Sequence, residues 1–318
     1  MKTPFKNIKR YREIIQILLK YGFDEILDRY GLDKYLKGGF KIFSKTKVKD
    51  VEHLTIQERV RKALEDLGPT FVKFGQMLSI RPEILPAKFI KELQKLQDQV
   101  APFPTDAAIS IIEEDLEQDI DTIFKEFEEE PHAAASLAQV HRAQLHNGEQ
   151  VIVKVQRPNI RSKIESDLDL LYNMAKIISR NISSELMYQP SELIDEFKHW
   201  IKKELNFNQE ARNIERFKNH FKDNQDIRIH SVYWDYSSSR IITMEYIDGI
   251  RISDIEKIEE AGLDRKKIAR IGAEITLTQI FDYGFFHGDP HPGNILVLEG
   301  NLIAPMDFGL VGSLDKQL

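Results

Sequence analysis

Residues 287–294 read His-Gly-Asp-Pro-His-Pro-Gly-Asn, and residues 307–309 read Asp-Phe-Gly. Between them, two short apolar segments flank Gly300-Asn301, which predicts a hairpin because Gly and Asn tolerate the turn geometry. A tight loop, a hairpin and a second acidic residue in this order predict a phosphoryl-transfer centre of the protein-kinase type. The fold class that follows is α+β, with a small antiparallel-sheet N-lobe and a helical C-lobe.

The chemistry assigns a role to each polar residue of this segment. Phosphoryl transfer needs positioning and charge neutralisation more than covalent catalysis. Asp289 is the predicted catalytic residue, which orients the acceptor and takes its proton. Asn294 and Asp307 are the predicted metal ligands. In the alternative interpretation, Gly and Pro merely form a sharp turn and the acids face solvent, but this does not explain why both acids flank one hairpin.

Two histidines in the loop have different expected roles. We expect His287 to support the loop rather than to catalyse. For His291, a hydrogen-bonded or solvated side chain and a metal ligand are both open. The pair His287-Gly288 lacks the Arg that many protein kinases place before the catalytic Asp, so control through a phosphorylated activation loop is not expected.

Upstream, Lys154 is the one charged residue in the apolar segment 151–155. A Lys that points into a core needs an anionic partner, so we predict that it binds nucleotide phosphates and is held by Glu210. The alternative is an edge strand with Lys154 pointing outward. The segment that follows a later strand suits a hinge whose backbone bonds adenine, and its predicted residues are Glu245 and Ile247.

The glycine-rich loop that covers the phosphates in ordinary protein kinases is missing. Ala133, Ala134, Ala135 and Ser136 occupy its place and are predicted to line the nucleotide. A Cβ atom limits how closely a backbone approaches phosphates, so an ordinary protein kinase would not have this sequence. A plain turn that enters a strand is the alternative.

Bulk properties exclude several classes. The chain has 318 residues, a formal net charge of -6 and no cysteine. Disulfides, thiolate catalysis and Cys-type zinc sites are therefore excluded, and no nucleic-acid partner is expected. We find no apolar stretch long enough for a membrane span and no signal peptide. Residues 1–21 form an amphipathic segment that packs on its own domain or lies on a membrane. The predicted location is cytoplasmic, with peripheral membrane contact left open.

Periodicity and breakers predict the elements. Gly68-Pro69 is predicted to end one helix, and Asn147-Gly148 to turn a hairpin between two strands. Thr105 is the predicted N-cap of a helix that runs to residue 117. The predicted helices are 56–67, 69–79, 86–100, 105–117, 160–179, 191–221 and 265–283, and the predicted strands are 137–145, 149–155, 227–234, 240–246, 295–298 and 302–306. We predict four regions: N-terminal helices (1–50), a helical extension (51–130), an N-lobe with inserted helices (131–246) and a partial C-lobe (247–318).

Several motifs in order resemble the UbiB family of atypical, protein-kinase-like proteins over residues 67–310. The motifs are Lys73-Phe74-Gly75-Gln76 (the family's KxGQ), Leu78-Ser79-Ile80-Arg81-Pro82, the Ala-rich loop 133–141, the Lys strand with Gln156-Arg157-Pro158, the Glu-bearing helix, the His-Gly-Asp loop and Asp-Phe-Gly.

The resemblance implies a kinase-like fold with a helical N-terminal extension that folds across the active site. Lys73 and Gln76 share one helix face, which the family directs at the nucleotide; without the resemblance, Lys73 would be interpreted as a solvated lysine. The family's Glu-x-Asp motif here reads Glu204-Leu205-Asn206. The Asn keeps the shape but loses the charge, which puts an ionic or metal role of Asn206 in doubt.

The resemblance also implies ATP or ADP with Mg²⁺ as cofactor, and a role in ubiquinone or other isoprenoid-quinone and prenyl-lipid metabolism. Expected partners are adenine nucleotide, and a lipid or quinone-pathway intermediate or enzyme. We expect a Mg-dependent ATPase or atypical kinase. The alternatives are a non-catalytic, nucleotide-dependent scaffold, a protein kinase and a small-molecule phosphotransferase. Because Leu318 follows Asp-Phe-Gly closely, the C-lobe is expected to be truncated.

Overall fold

The computed structural model describes residues 8–29, 51, 53–96, 100–181 and 189–314. The chain divides into two compact units whose segments alternate along the sequence. The first unit comprises Met1–Ala101, Ala135–Leu137 and Asn159–Lys202, and the second comprises Pro102–Ala134, Ala138–Pro158 and Lys203–Leu318.

Helices make up the regular structure of the first unit in its described part. They are α1 (Ile8–Lys20), α2 (Asp24–Arg29), α3 (Ile56–Leu67), α4 (Pro69–Leu78), α5 (Ala87–Leu93), α8 (Ile160–Asn181) and α9 (Pro190–Glu204, which runs into the second unit). Gly68, at φ 92°, separates α3 from α4, and Pro69 opens α4, so the predicted break is confirmed. The predicted helix 86–100 is shorter, and residues 97–99 lie outside the described residues.

One buried carboxylate ties three of these helices together. Asp167 on α8 accepts from Arg10 Nε of α1 at 2.7 Å and from Thr70 Oγ1 of α4 at 2.6 Å. Arg10 also donates to the Leu67 carbonyl at 2.6 Å, at the end of α3. Asp167 and Thr70 are fully buried, so this charge is compensated by direct hydrogen bonds rather than by water.

The second unit contains a five-stranded antiparallel sheet. Its strands are β1 (Phe124–Phe127), β2 (Ala133–Ala134), β3 (Ala138–Leu145), β4 (Gln150–Gln156) and β5 (Ile241–Glu245), in the order β1-β3-β4-β5 with β2 also paired to β3. Gly148, at φ 91°, turns the predicted hairpin between β3 and β4. Apolar side chains of β4 alternate between two buried clusters, so the strand is covered on both faces.

The remaining elements of the second unit surround this sheet and its connections. They are α6 (Thr105–Leu116), α7 (Ile120–Ile123), α10 (Phe207–His220), β6 (Ile250–Arg251), α11 (Ile255–Glu260), α12 (Arg265–Phe281), β7 (Phe285–His287), β8 (Ile295–Val297), β9 (Ile303–Pro305) and β10 (Val311–Ser313). Strands β6, β8 and β9 form a second small sheet, and β7 pairs with β10. The predicted hairpin between Ile295 and Pro305 is confirmed.

Three sequence predictions were wrong in detail. Residues 227–234 are not a strand: the segment forms only single bridges at Ile227 and Val232 before a short 3₁₀ helix. The helix predicted over 191–221 is two helices, because the chain leaves helical geometry at Asn206. Thr105 is the first residue of α6 rather than its N-cap, and its hydroxyl donates to the Glu129 carbonyl at 2.5 Å.

The described residues include no helix that is long and apolar enough to cross a membrane.

Candidate active site

The second unit forms the predicted Lys–Glu pair. Lys154 lies in the middle of β4, opposite Val140 of β3 and Ile242 of β5, so the edge-strand alternative is wrong. Its Nζ donates to Oε1 and Oε2 of Glu210, each at 2.9 Å. The two side chains are 18% and 5% exposed, so they form a largely desolvated, two-point ion pair.

A third charge completes this centre. Asp307 Oδ2 lies 4.0 Å from Lys154 Nζ, and its side chain is 48% exposed. Burial alone would lower the pKa of the Lys154 ammonium, but the charges of Asp307 and Glu210 outweigh it and hold that pKa above its usual value. Burial raises the pKa of the Glu210 carboxyl, and the negative charges of Asp307 and Glu204 raise it further. The positive charge of Lys154 lowers this pKa but does not cancel the rise. The centre therefore carries surplus negative charge, which suits a divalent cation.

Helix α10 positions both Glu210 and the Asp-Phe-Gly segment. Phe207, Ala211 and Ile214 recur at helical spacing and are buried, which orients the helix against the sheet. Asn213, one turn after Glu210, donates from Nδ2 to the Phe308 carbonyl at 2.8 Å. The same helix therefore contacts the β4 lysine and the backbone that follows Asp307.

Phe308 and Gly309 fix the direction of Asp307. The Phe308 side chain is fully buried, with its ring centroid 5.0 Å from that of Phe217. The Gly309 N–H donates to Asp307 Oδ1 at 2.8 Å. Packing on one side and a backbone donor on the other leave Oδ2 directed towards Lys154.

His287 supports the loop, as predicted. Its Nε2 hydrogen-bonds the Asp307 carbonyl, and its Nδ1 accepts from the Asp289 N–H at 3.1 Å. One tautomer, with the proton on Nε2, satisfies both bonds. Gly288 approaches Leu310 so closely that a Cβ atom would lie 2.8 Å from Leu310 Cγ. This site therefore requires glycine for steric reasons.

Asp289 and Asn294 lie at opposite ends of the loop. The loop is exposed from Gly288 to Gly293, and Asn294 is half-buried at the end of a short 3₁₀ helix. The Met306 N–H donates to the Asn294 carbonyl at 2.9 Å, which joins this end to the segment that leads to Asp307. His291 caps the 3₁₀ helix by accepting from the Gly293 N–H at 3.0 Å.

The described residues contain no group of three or more His, Cys, Asp or Glu side chains arranged to hold a metal ion. This does not conflict with the predicted pair of Asn294 and Asp307, because Mg²⁺ at phosphoryl-transfer sites is usually held by one or two protein groups plus phosphate oxygens and water. Oxygen donors of this kind fit Mg²⁺.

The Ala-rich segment forms a short strand and the turn that leads into β3. Ala133 and Ala134 form β2 and pair with Val140 and Gln139 of β3, and residues 135–137 connect the two strands. Ala135 is half-buried, while Ser136 is buried and its hydroxyl has no hydrogen-bond partner in the described part of the chain.

The backbone of the predicted hinge is hydrogen-bonded to the segment that contains His230 and Ser231. The Glu245 N–H donates to the Ser231 carbonyl at 2.9 Å, and the Glu245 carbonyl contacts Nδ1 of the buried His230 at 3.0 Å. His230 Nε2 lies 3.1 Å from the Pro305 carbonyl, so this ring connects the hinge with β9. Ile247 is buried against Leu296 and Ala304.

The residues carried over from the KxGQ and Glu-x-Asp motifs lie in different units. Lys73 and Gln76 are on α4 in the first unit, where Lys73 Nζ is 5.9 Å from the Trp200 ring centroid and Gln76 Nε2 donates to the Leu96 carbonyl at 3.3 Å. Glu204 and Asn206 belong to the second unit, and Glu204 acts electrostatically on Lys154. Asn206 Oδ1 is buried and has no hydrogen-bond partner among the described residues.

Sequence reasoning missed Asn213 and His230. Asn213 follows Glu210 by three positions on a helix, so a shared face was a usable signal. His230 is a polar residue in an apolar segment, which indicates a buried hydrogen-bonded ring, but its two carbonyl partners come from remote strands.

Comparison with known proteins adds a finding independent of this geometry. The family described as "ABC1 atypical kinase-like domain" matches residues 95–318. The probable protein kinase UbiB of Aliivibrio fischeri is 38% identical over 324 residues, which cover 99% of this chain and 58% of that protein. The protein ACTIVITY OF BC1 COMPLEX KINASE 8, chloroplastic, of Arabidopsis thaliana is 37% identical over 318 residues, covering 99% of this chain and 41% of that protein.

An uncharacterized protein of Synechocystis sp., slr1919, is 41% identical over 258 residues, covering 81% of this chain and 46% of that protein. This chain therefore spans about half the length of the curated relatives it matches. Among solved structures, the complex of Rv3197 with erythromycin from Mycobacterium tuberculosis matches with a TM-score of 0.58 and 26% identity, over 75% of this chain and 60% of that one.

Proposed function

This chain belongs to the family of ABC1 atypical kinase-like domains, and from that premise we propose that it binds ATP or ADP with Mg²⁺ and transfers or releases the terminal phosphate. The observation that carries the proposal is the Lys154 ammonium, bonded to both Glu210 oxygens at 2.9 Å with Asp307 at 4.0 Å. In kinase-like sites such a lysine neutralises phosphate charge, and the glutamate holds it in position.

The remaining roles follow from the position of each group. Asn294 and Asp307 provide the oxygen ligands for Mg²⁺, which when bound neutralises charge on the phosphates. Asp289, at the exposed end of the loop, orients the acceptor hydroxyl or water and takes its proton at a carboxylate oxygen. His287 acts through these residues, since it bonds the backbone of both Asp289 and Asp307.

We assign the adenine to the hinge, at the backbone of Glu245 and Ile247, and the phosphates to the Ala-rich segment. The surplus negative charge near Lys154 supports a role for the metal, whereas Asn206 supplies an amide oxygen where the family has a carboxylate. We further propose that Lys73 and Gln76 contact the nucleotide, as the family resemblance implies.

The test is nucleotide binding, measured as a shift in melting temperature on adding MgADP or MgATP. We expect a saturable shift in the wild type and its loss in both Lys154→Ala and Asp307→Asn. Lys125→Ala, which removes an exposed lysine of β1, is the matched control and should retain the shift. An equal shift in all four proteins would refute the proposal.

The family name of the UbiB relatives supports a role in isoprenoid-quinone or prenyl-lipid metabolism, with a lipid-like molecule or a biosynthetic enzyme as partner. ATPase activity measured with and without liposomes tests this part. No stimulation by liposomes, in a protein that binds MgATP, would remove the lipid partner while leaving the nucleotide site in place.

A second candidate is a non-catalytic, nucleotide-dependent scaffold. Asn206 and the Ala-rich segment favour it, because both differ from what an efficient phosphotransferase uses. MgADP binding with no phosphate release under any condition would support the scaffold. Phosphorylation of added protein substrates would instead favour a protein kinase.

A further inference from the structure

A cavity of about 630 Å³ opens on the second unit, on the side of the hinge where Ser231 and the end of α10 lie. Lys154, Asp289, Asn294 and Asp307 are not among the residues that line it. Its volume lies in the range of small-molecule sites, about 300–1,000 Å³. Of the residues assigned to the nucleotide site above, Glu245 alone lines this cavity, so the cavity needs its own explanation.

The floor of the cavity is apolar. Phe221, Ile227 and Ile229 line it and are 4–7% exposed, and Leu302 adds a half-buried side chain. The Arg228 N–H donates to the Ile303 carbonyl at 2.9 Å, so backbone pairing with β9 fixes this wall. A rigid apolar floor favours a ligand that carries an apolar group.

The rim of the cavity is basic. Lys218, Lys222 and Arg228 line it, and Glu245 is the one acid among its described lining residues. Asp223 and Asp226 are neighbours in sequence but do not line it. Three cations against one carboxylate, in a chain with a net charge of -6, favour an anion.

Two of these cations, Lys218 and Arg228, have partners that an anion can replace. Lys218 Nζ donates to Ser231 Oγ at 2.8 Å, and Arg228 pairs with the Glu245 carboxylate while its own side chain is 56% exposed. Glu245 also accepts from the Ser231 N–H and hydroxyl, each at 3.1 Å. An incoming anion could take the donors of Lys218 and Arg228, and the Glu245 carboxylate would then keep its two hydrogen bonds from Ser231 but lose its charged partner.

We propose that this cavity is a second ligand site, which binds a phosphate or carboxylate group attached to a small apolar moiety. The anionic group lies among Lys218, Lys222 and Arg228, and the apolar moiety lies on Phe221 and Ile229. The ligand is either a free organic anion or the headgroup of an anionic lipid, since both present this chemistry.

The site is also placed to regulate nucleotide binding, and this part rests on the proposed function. Glu245 belongs to the hinge, and its carbonyl contacts His230, whose other ring nitrogen contacts the Pro305 carbonyl before Asp307. An anion that draws Arg228 away from Glu245 weakens the support of the hinge. Because coupling between two sites is reciprocal, MgADP then weakens binding of the anion by the same factor.

Phenyl phosphate is a suitable probe, and its binding is measured calorimetrically without nucleotide. We expect saturable binding to the wild type and about tenfold weaker binding to Lys218→Gln/Lys222→Gln, since each exposed charged contact contributes up to about fivefold. Lys125→Gln/Lys257→Gln removes the same charge from exposed positions that do not line the cavity and should bind as the wild type does. Equal affinity in the two double variants overturns the proposal.

Nucleotide binding separates this site from the proposed function. Phenyl phosphate should weaken MgADP binding to a limit that levels off, about fivefold for a typical coupling between sites, and only while Lys218 and Lys222 are present. If the affinity for MgADP keeps falling as the phenyl phosphate concentration rises, the probe competes at the nucleotide site, and the proposal is overturned. If the protein binds phenyl phosphate but has no affinity for MgADP, the second ligand site is supported and the proposed function is rejected.

The source of the anion is decided with vesicles. Flotation is compared on phosphatidylcholine alone and on an equimolar mixture with phosphatidylglycerol, with phenyl phosphate as competitor. Binding to the mixture that is lost in Lys218→Gln/Lys222→Gln identifies a lipid headgroup. No binding to either vesicle, with phenyl phosphate still bound, identifies a free organic anion. Both results support the site.

Discussion

The Lys154–Glu210 pair and the loop 287–294 serve the same proposed site but are constructed differently. The pair is largely buried, joins a central strand to a helix and is bonded at two points. The loop is exposed from Gly288 to Gly293, and its polar contacts run mainly through two histidine rings and the backbone. The first region is fixed by buried contacts between a strand and a helix, whereas the second is held by a few contacts at the surface.

Because of this difference, substitutions in the two regions should affect stability and turnover differently. A change at the buried pair should alter both, because the pair holds the sheet and α10 together and also contacts the proposed phosphates. A change at the exposed loop should alter turnover and leave stability nearly unchanged. Variants at the buried pair, at α10 and at the loop test this contrast, and a buried histidine of the sheet is added for comparison. They are given in order of their expected effect on the free energy of unfolding.

Lys154→Ala should have the largest effect, a loss of about 3–5 kcal/mol, because it leaves the Glu210 charge buried without its partner. Chemical denaturation measures it. Lys154→Met/Glu210→Gln removes both charges and should recover most of the stability but not the MgADP-induced shift. If the double variant is as unstable as Lys154→Ala, an uncompensated charge is not the cause.

Asn213→Ala should cost about 1–3 kcal/mol, since it removes the donor of the buried Phe308 carbonyl. It should also lower phosphate release by loosening the position of Asp307. Arg212→Ala, at an exposed position of the same helix, is the control and should change neither quantity. Loss of stability with unchanged phosphate release would show that Asn213 supports the fold but does not position Asp307.

Acidification should weaken the fold through His141. The ring is fully buried, accepts from Gln139 Nε2 at 2.9 Å and donates to the Glu128 carbonyl at 2.9 Å. Burial lowers the pKa of His141, so the unfolded chain binds this proton first as the pH falls through about 6.5. The stabilising contribution is complete above that pH and is lost below it.

We therefore expect the free energy of unfolding to fall between about pH 7 and pH 5.5, by up to about 1.4 kcal/mol per pH unit for this group. His141→Gln should reduce this slope but not abolish it, because burial also lowers the pKa of His230. His146→Gln, at an exposed position, should leave the wild-type slope. Equal slopes in both variants would exclude His141 as the titrating group.

Asp289→Asn should have the smallest effect on stability, within about 0.5 kcal/mol, because the side chain is exposed. MgADP binding should persist, while phosphate release falls about 100-fold if Asp289 is the proton acceptor. Phosphate release at the wild-type rate would remove Asp289 from the catalytic role and favour the scaffold.

The sequence predicted the parts of the fold and site that depend on local chemistry. One lysine in an apolar strand demands an anionic partner, and Lys154 is bonded to the predicted Glu210. Gly68-Pro69 and Asn147-Gly148 mark a helix break and a hairpin because few other dipeptides allow those backbone angles. Such signals are short in range and need no knowledge of the tertiary structure.

What the sequence did not reveal depends on contacts between distant segments. Residues 227–234 have the composition of a strand, but the segment is divided between β9 and β5 and pairs with each at a single bridge. The bond from Asn213 to Phe308 spans 95 positions, and the two bonds of His230 unite three segments. Thr105 resembled a cap, yet its hydroxyl found an acceptor at Glu129.

Helix α10 has a mechanical consequence for control of the site. Glu210 and Asn213 lie one turn apart on this helix. Glu210 bonds Lys154 of the central strand, and Asn213 bonds the backbone of the Asp-Phe-Gly segment. An axial shift of a single residue, about 1.5 Å, would stretch both bonds together. The helix thus couples the two bonds, so that a shift that breaks one also breaks the other. Any ligand or partner that moves the C-terminal end of this helix, where Lys218 lies, would therefore disturb Lys154 and Asp307 together.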